Sequence, residues 1–411
     1  MHLMDKAMPK PLSEKTIQIV KATVPALEAH GLAITRRMYE RMFQNPEIRD
    51  LFNQSHHGET GSQPRALAAA VLAYAQNIDN LGVLGPAVER IAQKHVGLNI
   101  LPEHYPHVAT SLLGAIQDVL GEAATPEILA AWGEAYWFLA ELLIGREAEI
   151  YRDQAMAPGG WSGWRDFRVA EKREESGIVT SFVLEPVDGA PVVRHRPGQY
   201  LTFWLDLPGH HPLKRNYSIS SAPDDRRYRI SVKREPMGAV SNWLHDVVQV
   251  GTVLKVGVPA GEFFLEPRQQ ERPVVLLSGG VGLTPMLSML ESIAAERPEL
   301  EVHYVHGTRD GGTHAMGART RGLAAGNPRI HVTNFYETPR SHDVAGRDYD
   351  VAGCISPEWL LANTPVREAD VFLCGPRPFL RLFVNGLIQA GVPADRIHYE
   401  FFGPADELLA A

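Results

Sequence analysis

A histidine and a tyrosine lie close together in the segment "IAQKHVGLNILPEHYPHV", residues 91–108. His95 follows Val88 and Ile91 at helical spacing, which places its imidazole among apolar neighbours. Tyr105 comes just after a proline that suits the start of a new helix. Buried polar groups normally find hydrogen-bond partners, so bonding to the backbone is the ordinary explanation for both side chains. A functional role for the imidazole and the phenol needs a further observation.

A carboxylate on an apolar helical stripe is such an observation. Glu147 shares a face with Trp132, Tyr136 and Leu143, and a carboxylate in apolar surroundings is costly unless it is hydrogen-bonded. A partly exposed glutamate near a helix end is a common alternative. The pattern alone leaves both interpretations open.

Three later segments carry groups suited to binding a nucleotide. "RNYS", residues 215–218, offers an arginine for a phosphate, an aromatic side chain for a flat ring and a hydroxyl for its edge. "GAVSNWL", residues 238–244, is a glycine turn that opens a probable helix, whose N-terminus would hold a pyrophosphate. "SGGVGLTP", residues 278–285, is a second glycine-rich strand-to-helix turn, but it is not the usual GxGxxG fingerprint. Each signal alone is weak.

The elements that must position these groups change in character along the chain. Up to about residue 150 the sequence reads as helices: Leu67, Val71, Tyr74 and Ile78 form one stripe. The stretch 156–164, "MAPGGWSGW", breaks this pattern.

Short strands with turn residues between them follow the break, which is typical of an antiparallel barrel. From about residue 272, apolar strands alternate with helices, which predicts a parallel sheet covered on both faces. We therefore predict a multidomain fold: an all-α domain, an antiparallel β-barrel domain and an α/β parallel-sheet domain. The predicted bounds are a tail over 1–11 and domains over 12–150, 160–268 and 272–411.

Composition narrows the range of functions. The chain has 411 residues, of which 45% are hydrophobic and 21% are charged, as in an ordinary globular protein. A net charge of −8 without a basic run argues against nucleic acid as a partner. We find no signal peptide and no run of about 18 apolar residues, so we expect no membrane span. Two cysteines form no disulfide framework, and a reduced cytoplasm is the expected compartment.

The order of motifs in the second half resembles the ferredoxin–NADP reductase family. A barrel, "RNYS", a glycine turn, an apolar strand, "GGVGLTP", "CGP" and the terminal "YEFFGP" follow one another over residues 160–404. The resemblance implies a site for FAD and a site for NAD(P)H. The implied flavin contacts are Tyr200, Arg215, Asn216, Tyr217, Ser218, Gly238, Ser241, Phe401, Phe402, Gly403 and Pro404. The implied coenzyme contacts are Gly280, Val281, Gly282, Leu283, Thr284, Pro285, Arg309, Cys374, Gly375 and Pro376.

The helical half resembles the globin domain of flavohaemoglobins, through "MYERMFQNPEI", "LFNQS", "AQKHVG" and "GREAEIY". The resemblance extends over residues 12–404 and implies haem b, with His95 as the proximal ligand of its iron. It implies that Tyr105 and Glu147 complete a proximal hydrogen-bond set and that Tyr39 supplies a distal hydroxyl. The other implied haem-pocket residues are Phe52, Gln63, Leu67 and Lys94, although a solvated surface lysine is the stronger explanation for Lys94.

The family resemblance implies a reaction and leaves alternatives. The expected activity is that of a nitric oxide dioxygenase, which converts nitric oxide and dioxygen to nitrate with electrons passed from NAD(P)H through FAD to haem. An NAD(P)H oxidase or hydroperoxide reductase would use the same cofactors. A flavin reductase with a haem-free helical binding module is a further alternative. We expect a monomer, and the resemblance leaves room for a lipid in the distal pocket.

Coenzyme preference is not fixed by the resemblance. In a doubly wound sheet, the stretch "EVHYVHGTRDGG", residues 301–312, ends near the adenosine ribose. An acidic residue there favours NAD and an arginine accommodates the phosphate of NADP. The sequence offers both, Arg309 and then Asp310. We expect usable NADPH alongside NADH.

Overall fold

A computed structural model describes residues 10–51 and 62–402. Most of the predicted tail lies outside the described residues, and so do Phe52, Gly403 and Pro404. The chain divides into two compact units, and the second begins at Ala157 and holds two sheets. The predicted division into three domains therefore stays a prediction.

The first unit is helical. Ser13 caps the first helix by accepting a hydrogen bond from the Thr16 N–H at 3.1 Å. Tyr74 and Ile78 of the predicted stripe are buried in one apolar core, against which Leu67 and Val71 pack. The helices are α1 Glu14–Ala22, α2 Val24–Met42, α3 Pro46–Arg49, α4 Ser62–Gln76, α5 Gly85–Gly97, α6 Tyr105–Leu120 and α7 Pro126–Met156.

Helix α7 is the long element of this unit. Its length and apolar composition would allow it to cross a membrane. A single helix of this kind is weak evidence for a membrane span, because the core helix of a globular domain can have the same length and composition. Its buried side chains include Trp132, Leu143 and Glu147. The first two belong to the apolar core of the helical unit, which explains their spacing without a membrane.

The first sheet of the second unit has six strands in the order β4-β3-β6-β1-β2-β5. An antiparallel bridge between Ile219 and Ile230 joins its two edge strands and closes the sheet into a barrel. Alternate side chains point inward, and Phe167, Phe182 and Phe203 are fully buried. The elements are β1 Arg165–Glu174, β2 Val179–Pro186, β3 Tyr200–Leu205, β4 Leu213–Ser218, β5 Tyr228–Lys233, α8 Ala239–Asp246 and β6 Val253–Val256.

The second sheet has the order β10-β9-β8-β7-β11-β12, and its strand pairs are parallel. The chain moves outward from β7 to β10 and then returns to β11 on the other side of β7, so the crossovers change direction between β7 and β11. The elements are β7 Val274–Gly279, α9 Leu283–Glu296, β8 Val302–Thr308, α10 Gly317–Gly326, β9 Ile330–Tyr336, β10 Val351–Ala352, α11 Pro357–Asn363, β11 Asp370–Cys374, α12 Arg377–Gln389 and β12 Ile397–Glu400. The predicted fold class is confirmed in all three of its parts. The short strand β10 was not anticipated.

Candidate functional site

Three helices of the first unit bring His95, Tyr105 and Glu147 together. His95 lies near the end of α5, Tyr105 opens α6, and Glu147 lies on α7. His95 Nδ1 is 2.7 Å from Glu147 Oε1, and the Tyr105 hydroxyl donates to the same oxygen at 2.6 Å. His95 Nδ1 and the Tyr105 oxygen are 3.1 Å apart. The side chains therefore bond to one another, and the explanation by backbone partners is wrong for this set.

This arrangement fixes the tautomer of His95. Carboxylate Oε1 can only accept, so Nδ1 carries a proton, and in a neutral ring Nε2 keeps its lone pair. No hydrogen bond joins Nε2 to any of the described residues. The His95 side chain is 30% exposed, whereas that of Glu147 is 3% exposed. A neutral imidazole held from behind, with its second nitrogen accessible, fits the axial ligand of a haem iron.

Two further tyrosines fix the backbone around this set. The Tyr136 hydroxyl donates to the Tyr105 carbonyl and the Tyr151 hydroxyl donates to the Ile100 carbonyl, both at 2.8 Å. Burial raises the pKa of Tyr105 far above its usual value, and the charge of Glu147 adds to the effect. The phenol therefore remains a protonated donor. Neither Tyr136 nor Tyr151 was predicted as part of the site, although Tyr136 was placed on the same helical stripe as Glu147.

The structure brings together two of the residues predicted for the distal side of a haem, Tyr39 and Gln63. Tyr39 on α2 is buried, and burial raises its pKa to about 12, while a hydrogen bond with Gln63 of α4 acts in the opposite direction. The Tyr39 hydroxyl is therefore protonated at neutral pH. Leu67 packs against the same apolar core. Lys94 is exposed, as the solvated-lysine explanation expects.

The predicted flavin residues of β4 divide between its two faces. Arg215 and Tyr217 alternate onto one face, and the Tyr217 ring meets Phe203 edge-on at 5.7 Å. Burial lowers the pKa of Arg215 and raises that of Tyr217. Asn216 accepts a hydrogen bond from Thr202 Oγ1 at 2.9 Å on the opposite face. Asn216 is exposed, and Arg215, Tyr217 and Ser218 are half-buried, so all four predicted flavin residues of this strand remain accessible to a ligand.

The turn before α8 is built around Gly238 and Ser241. Ser241 Oγ accepts from the Glu235 N–H at 3.0 Å and donates to the Gly238 carbonyl at 3.2 Å. The hydroxyl is therefore committed to the turn. A pyrophosphate at this helix start would meet the first backbone N–H groups of α8, because these have no partner within the helix.

Two other groups complete the candidate flavin surface. The Tyr200 ring lies against the backbone at Gly261, and burial raises the pKa of its hydroxyl. Beyond the end of β12, the Arg377 guanidinium lies 5.8 Å from the centre of the Phe401 ring. Phe402 is 47% exposed, which leaves an aromatic face accessible at the end of the described chain.

The two motifs at the ends of β7 and β11 meet at the point where the crossovers change direction. Ligands of open α/β sheets bind at such a point, beyond the carboxyl ends of the strands. A Cβ atom at Gly282 would collide with the carbonyl of Cys374, so only glycine lets the "GGVG" and "CGP" turns pack this closely. Gly280 has a φ of 56° and open space beside it. The structure thus brings the predicted coenzyme residues of both turns together.

The side chains around this edge have distinct roles. Leu283 and Pro285 are buried at the start of α9, and Thr284 Oγ1 donates to the Val281 carbonyl at 3.1 Å. Phe379, which was not predicted, covers the turns: a Cβ atom at Gly375 would lie 2.7 Å from its ring. Its position three residues after Pro376 in "CGPRPF" was the available signal.

Arg309 and Asp310 differ in their surroundings. Arg309 is exposed at the end of β8. The Asp310 carboxylate accepts from the Gly312 N–H at 2.9 Å and from the Thr313 N–H at 3.1 Å. It also pairs with Arg340 at 3.0 Å. Asp310 therefore stabilises its own loop, and only Arg309 of the two is free to face a ribose phosphate.

Comparisons with known proteins agree with a haem site in the helical unit and with flavin and coenzyme sites in the second unit. Residues 36–141 match the family described as Globin. Residues 166–265 match the Oxidoreductase FAD-binding domain, and residues 276–384 match the Oxidoreductase NAD-binding domain. The helical set around His95 and the two turn regions each lie in, or directly beside, the corresponding match.

Full-length relatives and solved structures extend the similarity to the whole chain. A protein of Xylella fastidiosa named "Flavohemoprotein" is 55% identical over 399 residues, covering 97% of this chain and 99% of its own. One of Rhodopirellula baltica with the same name is 47% identical, covering 97% and 100%. The crystal structure of a flavohemoglobin from Malassezia yamatoensis with bound FAD and heme has a TM-score of 0.84 at 28% identity, covering 96% of this chain and 100% of its own. The FAD/NAD-binding domain of a nitric oxide dioxygenase from Vibrio cholerae has a TM-score of 0.53 at 39% identity, covering 58% and 99%.

Proposed function

The chain belongs to the flavohaemoprotein family, and from this premise we propose that it is an NAD(P)H-dependent nitric oxide dioxygenase. Two molecules each of nitric oxide and dioxygen would be consumed for every NAD(P)H oxidised, with nitrate as the product. The observation that carries the proposal is the accessible Nε2 of His95, whose Nδ1 is held by Glu147. When bound, haem supplies dioxygen binding, FAD divides the electron pair, and the coenzyme supplies hydride.

On the proximal side, His95 would hold the haem iron. Glu147 keeps the proton on Nδ1 and strengthens the imidazole as a donor, because a carboxylate acceptor gives the ring imidazolate character. Tyr105 donates to the same carboxylate oxygen and so holds it in position while limiting its basicity. The stronger electron donation from His95 would favour transfer of negative charge from the iron to dioxygen.

On the distal side, Tyr39 offers an O–H group in a buried environment. Because its pKa lies near 12, the hydroxyl donates a hydrogen bond throughout the neutral range. Gln63 orients the phenol. A donor here would stabilise negative charge that develops on bound dioxygen. Whether the distal pocket also takes a lipid stays a prediction.

In the second unit, Arg215, Tyr217 and Ser218, together with the N-terminus of α8, would hold FAD. The turns after β7 and β11 would hold the nicotinamide coenzyme, as their meeting at Gly282 and Cys374 supports. A monomeric enzyme stays a prediction. Both described cysteines, Cys354 and Cys374, are free thiols, which supports a cytoplasmic location.

The test is nitric oxide consumption by the purified holoenzyme, with nitrate as the measured product. We expect NAD(P)H-dependent consumption that exceeds turnover of hydroperoxide on the same preparation. The His95→Ala variant should lose the Soret band and nitric oxide consumption while it retains NAD(P)H-dependent reduction of ferricyanide. Peroxide turnover far above nitric oxide consumption would instead favour a hydroperoxide reductase. A wild-type protein without a Soret band would favour a flavin reductase with a haem-free helical module.

A further inference from the structure

The parallel sheet carries a second group of metal-ligating side chains, away from the coenzyme edge. Glu301 immediately precedes β8, His303 lies near the start of β8, and His331 lies near the start of β9. One potential ligand atom from each of the three side chains can be chosen so that all lie within 4.8 Å of one another. We propose that Glu301, His303 and His331 form a binding site for a divalent transition-metal ion of the zinc type.

Strand pairing creates this group. His303 and His331 are direct partners in the register of β8 and β9, so their side chains leave the same face of the sheet. Their neighbours Val302, Tyr304 and Ile330 are buried on the other face, against α9. The two imidazole rings therefore stack, with centres 4.6 Å apart and planes 28° apart. Glu301 is two residues before His303 and joins the same face.

The donor set suits a borderline metal ion. Imidazole nitrogen is a preferred ligand of zinc, and two histidines with one glutamate form a known type of zinc set that leaves a position for water. His303 Nε2 and Glu301 Oε1 are already 3.0 Å apart. Ligand atoms around a tetrahedral zinc ion are roughly 3.3 Å apart at ordinary bond lengths. Only His331 must move closer, and it is exposed, so its side chain is free to rotate.

The charges around the group are mixed. Burial lowers the pKa of His303, which favours the neutral form that binds metal, while the Glu301 charge acts in the opposite direction. Arg329 places a positive charge near Glu301 and should weaken the binding of a cation. The site lies at the amino ends of the strands, about five residues or roughly 15 Å along β8 from the coenzyme edge. The ion would join β8 to β9 without touching the proposed cofactors.

The experiment is a titration of the holoenzyme with Zn²⁺ alone, followed by equilibrium dialysis and metal analysis. We expect one saturable zinc ion per chain that is lost or weakened by more than about tenfold in His331→Ala, because loss of even an outer-shell partner costs 10–100-fold in affinity. The matched control is His342→Ala, which removes an exposed histidine from the loop after β9 and should keep the site. Arg329→Gln should tighten binding by about twofold or more.

Zinc K-edge absorption gives a readout independent of activity. We expect two imidazole nitrogens and one carboxylate oxygen in wild type, and one imidazole nitrogen fewer in any zinc that His331→Ala still binds at high concentration. Flavin and haem content should be equal in all variants, which establishes that His331→Ala is folded. No saturable zinc site in wild type, or equal affinity in wild type and His331→Ala, would overturn the proposal.

Discussion

Each unit of the molecule buries a glutamate on a long helix, and the two units treat its charge differently. Glu147 on α7 is 2% exposed and Glu291 on α9 is 7% exposed. Glu291 Oε1 accepts from Arg229 at 2.8 Å and from Arg319, and Oε2 accepts from the Ala222 N–H at 3.0 Å. Around Glu147 the partners are an imidazole and a phenol, and no lysine or arginine of the described residues pairs with it.

The difference separates a structural carboxylate from a functional one. Two guanidinium groups balance the charge of Glu291 within the protein, so this residue joins α9 to β5, to the loop before β5 and to α10. Burying an unbalanced charge is costly. Glu147 Oε2 is buried and has no hydrogen-bond partner among the described residues. A cation on the accessible nitrogen of His95, such as the haem iron proposed above, would supply the missing charge.

The largest effect should come from breaking the balanced cluster. Glu291→Gln leaves Arg229, whose side chain is only 13% exposed, without its carboxylate. We expect the free energy of unfolding of the second unit to fall by about 3–5 kcal/mol. The measurement is urea unfolding of the holoenzyme, followed by flavin release.

The control for this prediction lies on the same helix. Glu296 pairs with Arg268, whose side chain is 80% exposed, so Glu296→Gln should cost about 1 kcal/mol or less. Equal losses in the two variants would show that Glu291 is no more than a surface ion pair.

Glu147→Gln should lower the free energy of unfolding less than Glu291→Gln does, but it should change the reduction potential of the haem. An amide cannot draw the Nδ1 proton of His95 as a carboxylate does, so the reduction potential should rise by tens of millivolts. One charge-assisted hydrogen bond is worth about 1.5–3 kcal/mol, and 1.4 kcal/mol corresponds to about 59 mV for one electron. Spectroelectrochemical titration of the haem measures the shift.

Tyr105→Phe tests the second hydrogen bond to Glu147. Its hydroxyl donates to Glu147 Oε1, so removing it makes the carboxylate a stronger acceptor for His95. The potential should therefore fall slightly, in the direction opposite to that of Glu147→Gln. Shifts of the same sign in both variants would contradict the proximal set as described.

Tyr39→Phe tests the distal side. Loss of a hydrogen bond to a charged acceptor costs roughly 1.5–3 kcal/mol, so dioxygen should dissociate about 10–100 times faster. Haem content should not change. Stopped-flow measurement of the dissociation rate decides the outcome, and Tyr74→Phe is the control, because the Tyr74 hydroxyl donates to the Ala135 carbonyl within the core. An unchanged rate in Tyr39→Phe would remove this residue from the distal role.

A histidine in each unit shows a similar difference in accessibility. His95 keeps one nitrogen accessible, whereas His195 is buried and its Nε2 lies 3.1 Å from the Ser221 carbonyl and 3.2 Å from Ser288 Oγ. Burial lowers the pKa of His195 to about 3. The unfolded chain takes up a proton near pH 6.5 and the folded protein does not, so stability is full above pH 6.5 and falls as the pH drops towards 3.

The pH dependence of His195→Gln measures this contribution. The slope for one group is at most about 1.4 kcal/mol per pH unit. Between pH 6.5 and pH 5, wild type should lose more unfolding free energy than His195→Gln, as followed by urea unfolding. Parallel losses in the two proteins would mean that His195 is protonated in the folded state.

Sequence periodicity predicted most of the helices and strands, because it reports which face of an element is buried, but it missed the two-residue strand β10. The stripe through Tyr74 and Ile78 and the apolar strand β7 are where the pattern placed them. Sheet order was not predictable in the same way. The approach of Gly282 to Cys374 depends on β7 and β11 being neighbours, a pairing across almost 100 residues that no local pattern encodes.

The resemblance predicted the proximal hydrogen-bond set, but not which atoms its members share. Resemblance placed His95, Tyr105 and Glu147 together, but the sharing of a single carboxylate oxygen follows from how α5, α6 and α7 pack. Asn216 was assigned to the flavin site with its neighbours; the structure leaves it exposed and bonds it to Thr202, and its contact with a flavin stays a prediction.

The smallest expected effect concerns the coenzyme, where the sequence left Arg309 and Asp310 in competition. The structure commits Asp310 to the Gly312 and Thr313 N–H groups and to Arg340, so it is held away from a ribose hydroxyl. Arg309 remains exposed and able to meet the phosphate of NADPH. An exposed ion pair is worth up to about 1 kcal/mol, so Arg309→Ala should raise KM for NADPH by roughly fivefold and leave KM for NADH unchanged. The control is Arg367→Ala, an exposed arginine before β11 and therefore at the opposite edge of the sheet, which should change neither value. The measured quantity is the ratio of kcat/KM for the two coenzymes, and an equal change for both in Arg309→Ala would leave this arginine as a surface charge.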